Sequence, residues 1–267
     1  MLELARMTPD VVAESAWPYS AAGGFAIGVA CSSEELEAIQ RLRYSIFTDE
    51  LNVVFPNAVD GLDCDYYDTW CEHLMVKEID TGRVVGTYRL LTPANAVKAG
   101  GYYSESEFDI SSLASVRGSL VEVGRSCIHA DYRNGSVIML LLSGVARRVH
   151  DYGARYVLGC ASVSLRDDGV TAAEVWRVAS KALHKASELP VVVPRHCYPV
   201  ERLAHTLPAR VPPLIKGYLK LGATICGEPA WDPDFNTADF PVLLDMTRMD
   251  TRYRRHFGLD RPSSMVS

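Results

Sequence analysis

VEVGRSCIHADYRNG, residues Val121 to Gly135, decides how the rest of the chain is read. It opens as an apolar strand, sets a glutamate and an arginine three residues apart within it, and turns into the apolar run Val137 to Leu142. In a regular strand Glu122 and Arg125 point to opposite faces, because side chains alternate with a period of two. Gly124 lies between them, and a bulge there inserts a residue and brings both side chains toward one cleft. Such a bulge also splays the strand from its neighbour and opens a slot between two sheet edges. The plainer reading is a structural ion pair, or two side chains facing water on opposite sides.

Outward from this stretch, Ser32-Ser33-Glu34-Glu35 reads as a capping box, followed by Leu36, Ile39, Leu42 and Ile46 at helical spacing. HLMVKEI and VVGTYRLL are strand-like runs joined by Asp80-Thr81-Gly82-Arg83, a hairpin signal. Alternation places Val85, Thr87, Arg89 and Leu91 on one face. Ile138, Leu141, Leu142, Val145, Val149 and Tyr152 predict a helix ended by Gly153. RYVLGCASV is a further strand, Ala172 to Ser187 a helix and PVVV a short strand. Pro212-Pro213 opens a helix stopped by Gly222, and ATICG and FPVLLDM read as a closing strand pair. This order predicts one α+β domain on a largely antiparallel sheet, not a doubly wound parallel one. Residues 1–30 read as a loosely packed lead-in, 31–248 as the domain and 249–267 as a basic, peripheral tail.

The chain has 267 residues, 48% of them hydrophobic, enough for a substantial core. Its net charge of −6 argues against bulk nucleic-acid binding, so an anionic partner must find a local site. The start MLELARMTPD lacks a secretory pattern, and no apolar run approaches the roughly 20 residues that span a bilayer. A cytoplasmic protein is expected, with contact at the inner membrane face left open. Seven cysteines without a CxxC pair suit a reducing compartment, and seven scattered histidines give no reason to expect a metal.

LRYSIFTDEL, LDCDYYDTWCEHLMV, TGRVVGTYRLL, GGYYSESEFDI, VEVGRSCIHADYRNG, RYVLGCAS and PPLIKGYLKLGA follow one another from about residue 30 to 257. In that order they resemble the ornithine-acyl-carrier-protein N-acyltransferase family of the GCN5-related N-acyltransferase (GNAT) superfamily. They are also similar to N-acyl amino acid synthases and, more distantly, to acyl-homoserine-lactone synthases. The resemblance implies a mixed, largely antiparallel sheet splayed at its centre, with helices on both faces. It implies no tightly bound cofactor, and an acyl-carrier protein or CoA as acyl donor.

By the same resemblance, Arg133, Asn134, Gly135 and Ser136 receive the donor's pantetheine phosphate. Free amides at a helix start do form an anion site. The fuller glycine-rich loop of acetyl-CoA enzymes is lacking, which suits the single phosphate of an acyl-carrier protein. Such carriers are acidic, and Arg133, Arg147, Arg148, Lys216 and Lys220 offer a basic face, although each also reads as a solvated charge. Glu122 corresponds to the general base and Arg125 to its orienting partner. Ser126 and Cys127 lack the histidine spacing of a covalent nucleophile.

Asp63, Asp65 and Asp68, with Arg43 and Arg89, look like a network around a cationic amino-acid acceptor. An arginine could meet the acceptor carboxylate, or the arginines could simply pair with the aspartates. His73 reads as packed or hydrogen-bonded. Phe108, Leu140 and Tyr156 are candidate walls for an acyl chain. The implied activity moves a long acyl chain, plain or 3-hydroxylated, to the α-amine of an amino acid, ornithine by resemblance. The lipid-like product implies transient contact with a membrane surface. The alternatives are a lactone-synthase-like signal maker and a non-catalytic acyl-thioester-binding regulator.

Overall fold

The computed structural model describes residues 20–51, 53–55, 58, 60–183, 190–202 and 210–260. In chain order the elements are β1 (Ser20–Ala22), β2 (Phe25–Val29), α1 (Ser33–Leu51), β3 (Glu72–Glu78), β4 (Val84–Leu91), α2 (Pro93–Lys98), β5 (Phe108–Asp109) and β6 (Leu120–Ile128). There follow α3 (Ser136–Asp151), β7 (Tyr156–Ser164), α4 (Val170–Leu183), β8 (Val193–Pro194), α5 (Pro213–Leu221), β9 (Thr224–Ile225), β10 (Ala230–Asp232), β11 (Thr237–Asp245) and α6 (Thr251–His256). The main sheet runs β1-β2-β3-β4-β6-β7-β11-β10, with β9 also on β11, while β5 and β8 pair separately. Among the described residues only β6 and β7 pair in parallel, so the sheet is mixed and mostly antiparallel, as expected.

α1 begins as its sequence dictates. The Ser32 hydroxyl accepts the Glu35 amide at 3.2 Å and the Glu35 carboxylate accepts the Cys31 amide at 2.8 Å, which satisfies two donors that a helix start leaves open. α1 and α3 cover opposite faces. Val121 and Val123 pack with Val137, Leu141 and Val145 of α3, whereas Cys127 packs with Leu42, Ile46 and Phe47 of α1. Three odd-numbered residues on two faces require an inserted residue between them, and the register supplies it: Thr87 pairs with Cys127 but Arg89 with Gly124. The bulge foreseen at Gly124 thus falls one position later, at Arg125, whose φ is +48°.

The bulge coincides with a fork. β6 and β7 stay paired from Leu120/Tyr156 to Val123/Gly159 and no further. Their closest approach needs a glycine, because a Cβ at Gly159 would stand 2.7 Å from the Val123 carbonyl oxygen.

Two boundary expectations are corrected. Within the 1–30 lead-in, Gly23-Gly24 is the turn of the β1–β2 hairpin, with both residues at positive φ, and β2 pairs with β3 inside the sheet. Within the 249–267 tail, Met249, Phe257 and Leu259 are buried in the α3 core, so the chain to 259 belongs to the domain. The helix expected over 172–187 is α4, and 184–187 lie outside the described residues. Among the described residues no helix is long and apolar enough to cross a membrane.

Gly159→Ala is expected to destabilise the protein by about 1–3 kcal/mol, the usual range for overpacking. Urea unfolding measures this, and an unchanged midpoint would show that the fork tolerates separation at its root.

Candidate active site

Beneath the fork, on the α1 side, three arginines meet three aspartates. Arg43 of α1 is 0% exposed. Its Nε lies 2.8 Å from an Asp63 carboxylate oxygen, and Nη1 and Nη2 donate to the two oxygens of Asp68 at 3.0 and 2.6 Å. Nη2 also donates to the Asp63 carbonyl. Arg89 of β4 donates to Asp68 at 2.7 Å and to both Asp65 oxygens at 2.6 and 2.7 Å. Arg125 donates to Asp65 at 3.1 Å and stands 3.8 Å from Asp63. The charges of Arg43, Arg89 and Arg125 cancel those of Asp63, Asp65 and Asp68, which makes a buried ionic cluster tolerable.

The titration behaviour follows. Burial alone would raise the Asp65 and Asp68 pKa values, but Arg89 at the first and Arg43 at the second outweigh it, and both stay below the usual carboxylate range. His73 donates from Nε2 to the Asp68 carbonyl at 3.0 Å, and burial lowers its pKa, so it is packed and hydrogen-bonded, as the sequence reading held.

Above this layer a cavity of about 690 Å³ runs along the fork. Glu122, Arg89, Arg125, Arg133 and Gly135 line it, together with Tyr103, Ser104, Cys160 and Ser162. The bulge therefore does bring Glu122 and Arg125 to one slot. They hold different partners, however. Arg125 turns to Asp65, its guanidinium 5.2 Å from the Phe235 ring centre and 5.7 Å from that of Tyr103. Glu122, 6% exposed, is oriented by the segment before β5: Oε2 accepts the Tyr103 amide at 2.7 Å, and Oε1 accepts the Ser104 amide at 2.7 Å and the Ser104 hydroxyl. A carboxylate offers about four lone-pair positions, so Oε2 keeps capacity for one more proton donor. Burial raises the Glu122 pKa against the opposing pull of the Ser104 hydroxyl and the two amides.

Of the residues expected at the donor phosphate, Gly135 is left-handed at φ +99° and caps α3. The Asn134 side chain accepts the Ser136 amide at 3.0 Å, and Arg133 pairs with Glu50 at 2.6 Å. Arg147 and Arg148 are likewise engaged, with Asp151 and Glu72. The expected chain walls are corrected: Phe108, Leu140 and Tyr156 pack elsewhere, and Ile138, Met139 and Leu142 line the slot. A smaller, almost wholly apolar chamber of about 60 Å³ lies behind, between α3 and α5 and walled by Met249 and Phe257. Tyr88 and Tyr218, their hydroxyls 2.8 Å apart, line both cavities. Sequence reasoning assigned no role to Tyr103, Ser104, Tyr88 or Tyr218. The run YYSESE after Gly100-Gly101 was the available signal, but nothing in it shows that its amides face β6.

A sheet forked at one parallel pair, with a buried carboxylate at the root of the fork, defines a GNAT-type acyltransferase. Residues 42–143 match the acetyltransferase (GNAT) domain family. The chain is 33% identical to the L-ornithine N(alpha)-acyltransferase of Rhizobium meliloti (strain 1021), with 90% of this chain and 86% of that protein covered. It is 30% identical to the enzyme of the same name from Brucella abortus (strain 2308), with 89% and 90% covered. The fold is shared with FeeM, an N-acyl amino acid synthase from uncultured soil microbes, at a TM-score of 0.51 and 13% identity, over 86% of this chain and 93% of that one. The chain belongs to the L-ornithine N(alpha)-acyltransferase family and is an acyltransferase.

Removing Arg43 leaves Asp63 and Asp68 buried without their main cation. Arg43→Ala is expected to cost about 3–5 kcal/mol at neutral pH. The gap to wild type should narrow as the pH falls, because the orphaned Asp68 takes up a proton while the wild-type Arg43–Asp68 pair loses its contribution below the unfolded aspartate pKa of about 3.9. Denaturant unfolding at several pH values checks both; a cost below 1 kcal/mol at pH 7 would show the cluster to be dispensable.

Proposed function

We propose that the protein transfers a long fatty acyl chain from the phosphopantetheine thioester of an acyl-carrier protein to the α-amino group of ornithine. The curated relatives supply the acceptor by their names. The observation that carries the reading is Glu122: a buried carboxylate, pinned by three donors, with one acceptor position left at the root of the slot.

In this reading the acceptor enters as the α-ammonium form, its carboxylate toward Arg89 and Arg125. The ammonium gives a proton to Glu122, directly or through the Ser104 hydroxyl. The freed amine attacks the thioester carbonyl, the C–N bond forms, and the carbonyl electrons move onto oxygen. A backbone amide of residues 124–126, on the β6 edge that has left β7, meets that oxyanion. The C–S bond breaks, the amide nitrogen loses its second proton, and the pantetheine sulfur leaves as a thiol. Arg133, Asn134, Gly135 and Ser136 hold the donor phosphate at the start of α3, where the helix dipole favours an anion. The acyl chain lies along the larger slot against Ile138, Met139 and Leu142, with its far end toward Tyr88 and Tyr218. An acylated ornithine is a lipid, so product release at the inner face of a membrane completes the reading.

Glu122→Gln should keep the fold and donor affinity but lose about 10²–10⁴-fold in turnover, the usual weight of a general base. Mass spectrometry of lipids from a bacterial host should show a new N-acyl ornithine with wild type only. Equal product from the variant would remove Glu122 from the chemistry. Because burial raises its pKa, kcat/KM should fall on the acid side through a pH above about 4.3, the ordinary glutamate value.

A further inference from the structure

A second acidic group stands apart from the matched ionic cluster, and two of its members, Asp232 and Asp239, line the slot. Asp239 of β11 stands opposite Ser162 of β7, and Asp232 of β10 opposite Thr237 of β11. Directly paired residues share a face and so do residues two apart, so Asp232, Asp239, Ser162 and Cys160 all face one side. All four line the slot that holds Glu122. Glu107, just after the Tyr103–Ser104 segment that pins Glu122, completes the group: one oxygen from each of Glu107, Asp232 and Asp239 lies within 4.8 Å of the others.

Among the described residues no lysine, arginine or histidine forms an ion pair with any of the three. Asp239 is 4% exposed, with the Thr237 hydroxyl donating to it at 2.8 Å. Asp232 accepts the amides of Asp234 and Phe235. Both Glu107 oxygens are shut away from solvent without a well-formed hydrogen bond, and the side chains facing them are the Tyr103 hydroxyl and Asp239. Burial, then repulsion from Asp239 and Asp232, pushes Glu107 up to about 8, and burial pushes Asp239 up to about 6. Buried carboxylates are ordinarily paired or hydrogen-bonded; a proton held on Glu107 eases the repulsion here, and a cation seated among the three would take its place.

A primary ammonium suits the three converging carboxylates. It carries three donors and no acceptor, and three acceptors about 2.9 Å from one nitrogen lie somewhat under 5 Å apart when tetrahedrally disposed. Calcium and magnesium ask for six or more oxygen ligands, whereas the neighbouring walls are the aromatic rings of Tyr103 and Phe235 and the Cys160 thiol. The spacing from Glu122 also fits. The Ser104 hydroxyl, bonded to Glu122, is 3.6 Å from the Cys160 sulfur, and Ser162, opposite Asp239, is two residues further along β7, roughly 7 Å. A diamino acid with its α-nitrogen at Glu122 and its side chain along β7 would direct its distal nitrogen toward Asp239.

We propose that Glu107, Asp232 and Asp239 form the subsite for the distal ammonium of the acceptor, so that a diamino acid bridges Glu122 and the trio. This rests on the acyl-transfer reading of Glu122 given above, and it assigns acceptor selection to residues outside the arginine–aspartate cluster. A neutral amino acid of the same length leaves the trio unpaired and is rejected, as sites built around a hydrogen-bonding group reject analogues that lack it.

The test compares wild type, Glu107→Gln and Asp239→Asn, full length, with ornithine and with norvaline, its isostere without the distal nitrogen. Both substitutions relieve repulsion, so both variants should fold with undiminished Tm. The KM for ornithine should rise ~10–100-fold, with a smaller change in kcat and a collapse of the ornithine-over-norvaline ratio. Calorimetry of ornithine binding, made in the Glu122→Gln background as well, reads the subsite without turnover. Lost binding in the trio variants with no N-acylation by wild type would keep the subsite and sink the acyl-transfer reading. An unchanged selectivity ratio, or no ornithine binding by wild type, overturns the subsite. So would a calcium or magnesium stabilisation of wild type that Asp239→Asn abolishes while amino-acid selectivity stays intact, which would make the trio a metal site.

Discussion

One carboxylate registers the parts of the slot. Asp65 accepts the amides of Tyr67 and Asp68 and so starts the 3-10 turn at Tyr66–Trp70. It binds Arg89 on β4 with both oxygens and Arg125 at the β6 bulge with one. A non-glycine residue in the left-handed region is held there at a cost, and Arg125 is kept there by Asp65 and by the aromatic rings of Tyr103 and Phe235. The bulge and the end of the β6–β7 pairing occur within two residues of each other. A slot in the middle of a sheet is thus secured by ion pairs beneath it, where an arginine fork can hold a carboxylate with both oxygens.

Two kinds of acidic site sit along this slot and differ in what they can do. Asp63, Asp65 and Asp68 are matched one for one by guanidinium groups, with burial excluding competing water. Their role is to hold geometry, and Arg43 and Asp68 have little left to offer a ligand. Glu122 is different because its partners are neutral amides and a hydroxyl, which orient it without cancelling its charge. It can gain a proton without breaking an ion pair, which a base requires and the aspartates could do only at the expense of the cluster.

Much of this was legible in VEVGRSCIHADYRNG because parity in a strand is strict. An acid and a base three residues apart cannot share a cleft unless a residue is inserted, so the shared cleft that the family resemblance implies requires the bulge. The placement at Arg125 rather than Gly124 was not legible, since it depends on Asp65, some sixty residues earlier in the chain. For the same reason Arg125 was read as the partner of Glu122, a task that belongs to Tyr103 and Ser104. β2 escaped notice because it is short and follows a glycine pair that reads equally as a loose segment. The trio of Glu107, Asp232 and Asp239 comes from three separate segments and shares no spacing. By contrast Arg43, Arg89 and the three aspartates were found through family resemblance, while only the structure shows which of them face the slot.

The most direct measurement is a crystal structure with an N-acyl ornithine bound. The account predicts the product's amide nitrogen within hydrogen-bonding distance of Glu122 or Ser104, directly or through one water. The acyl chain should pass between β6 and β7 beyond Val123 and Gly159. A product bound with its amide away from the fork, and Glu122 still enclosed by Tyr103 and Ser104 alone, would contradict it.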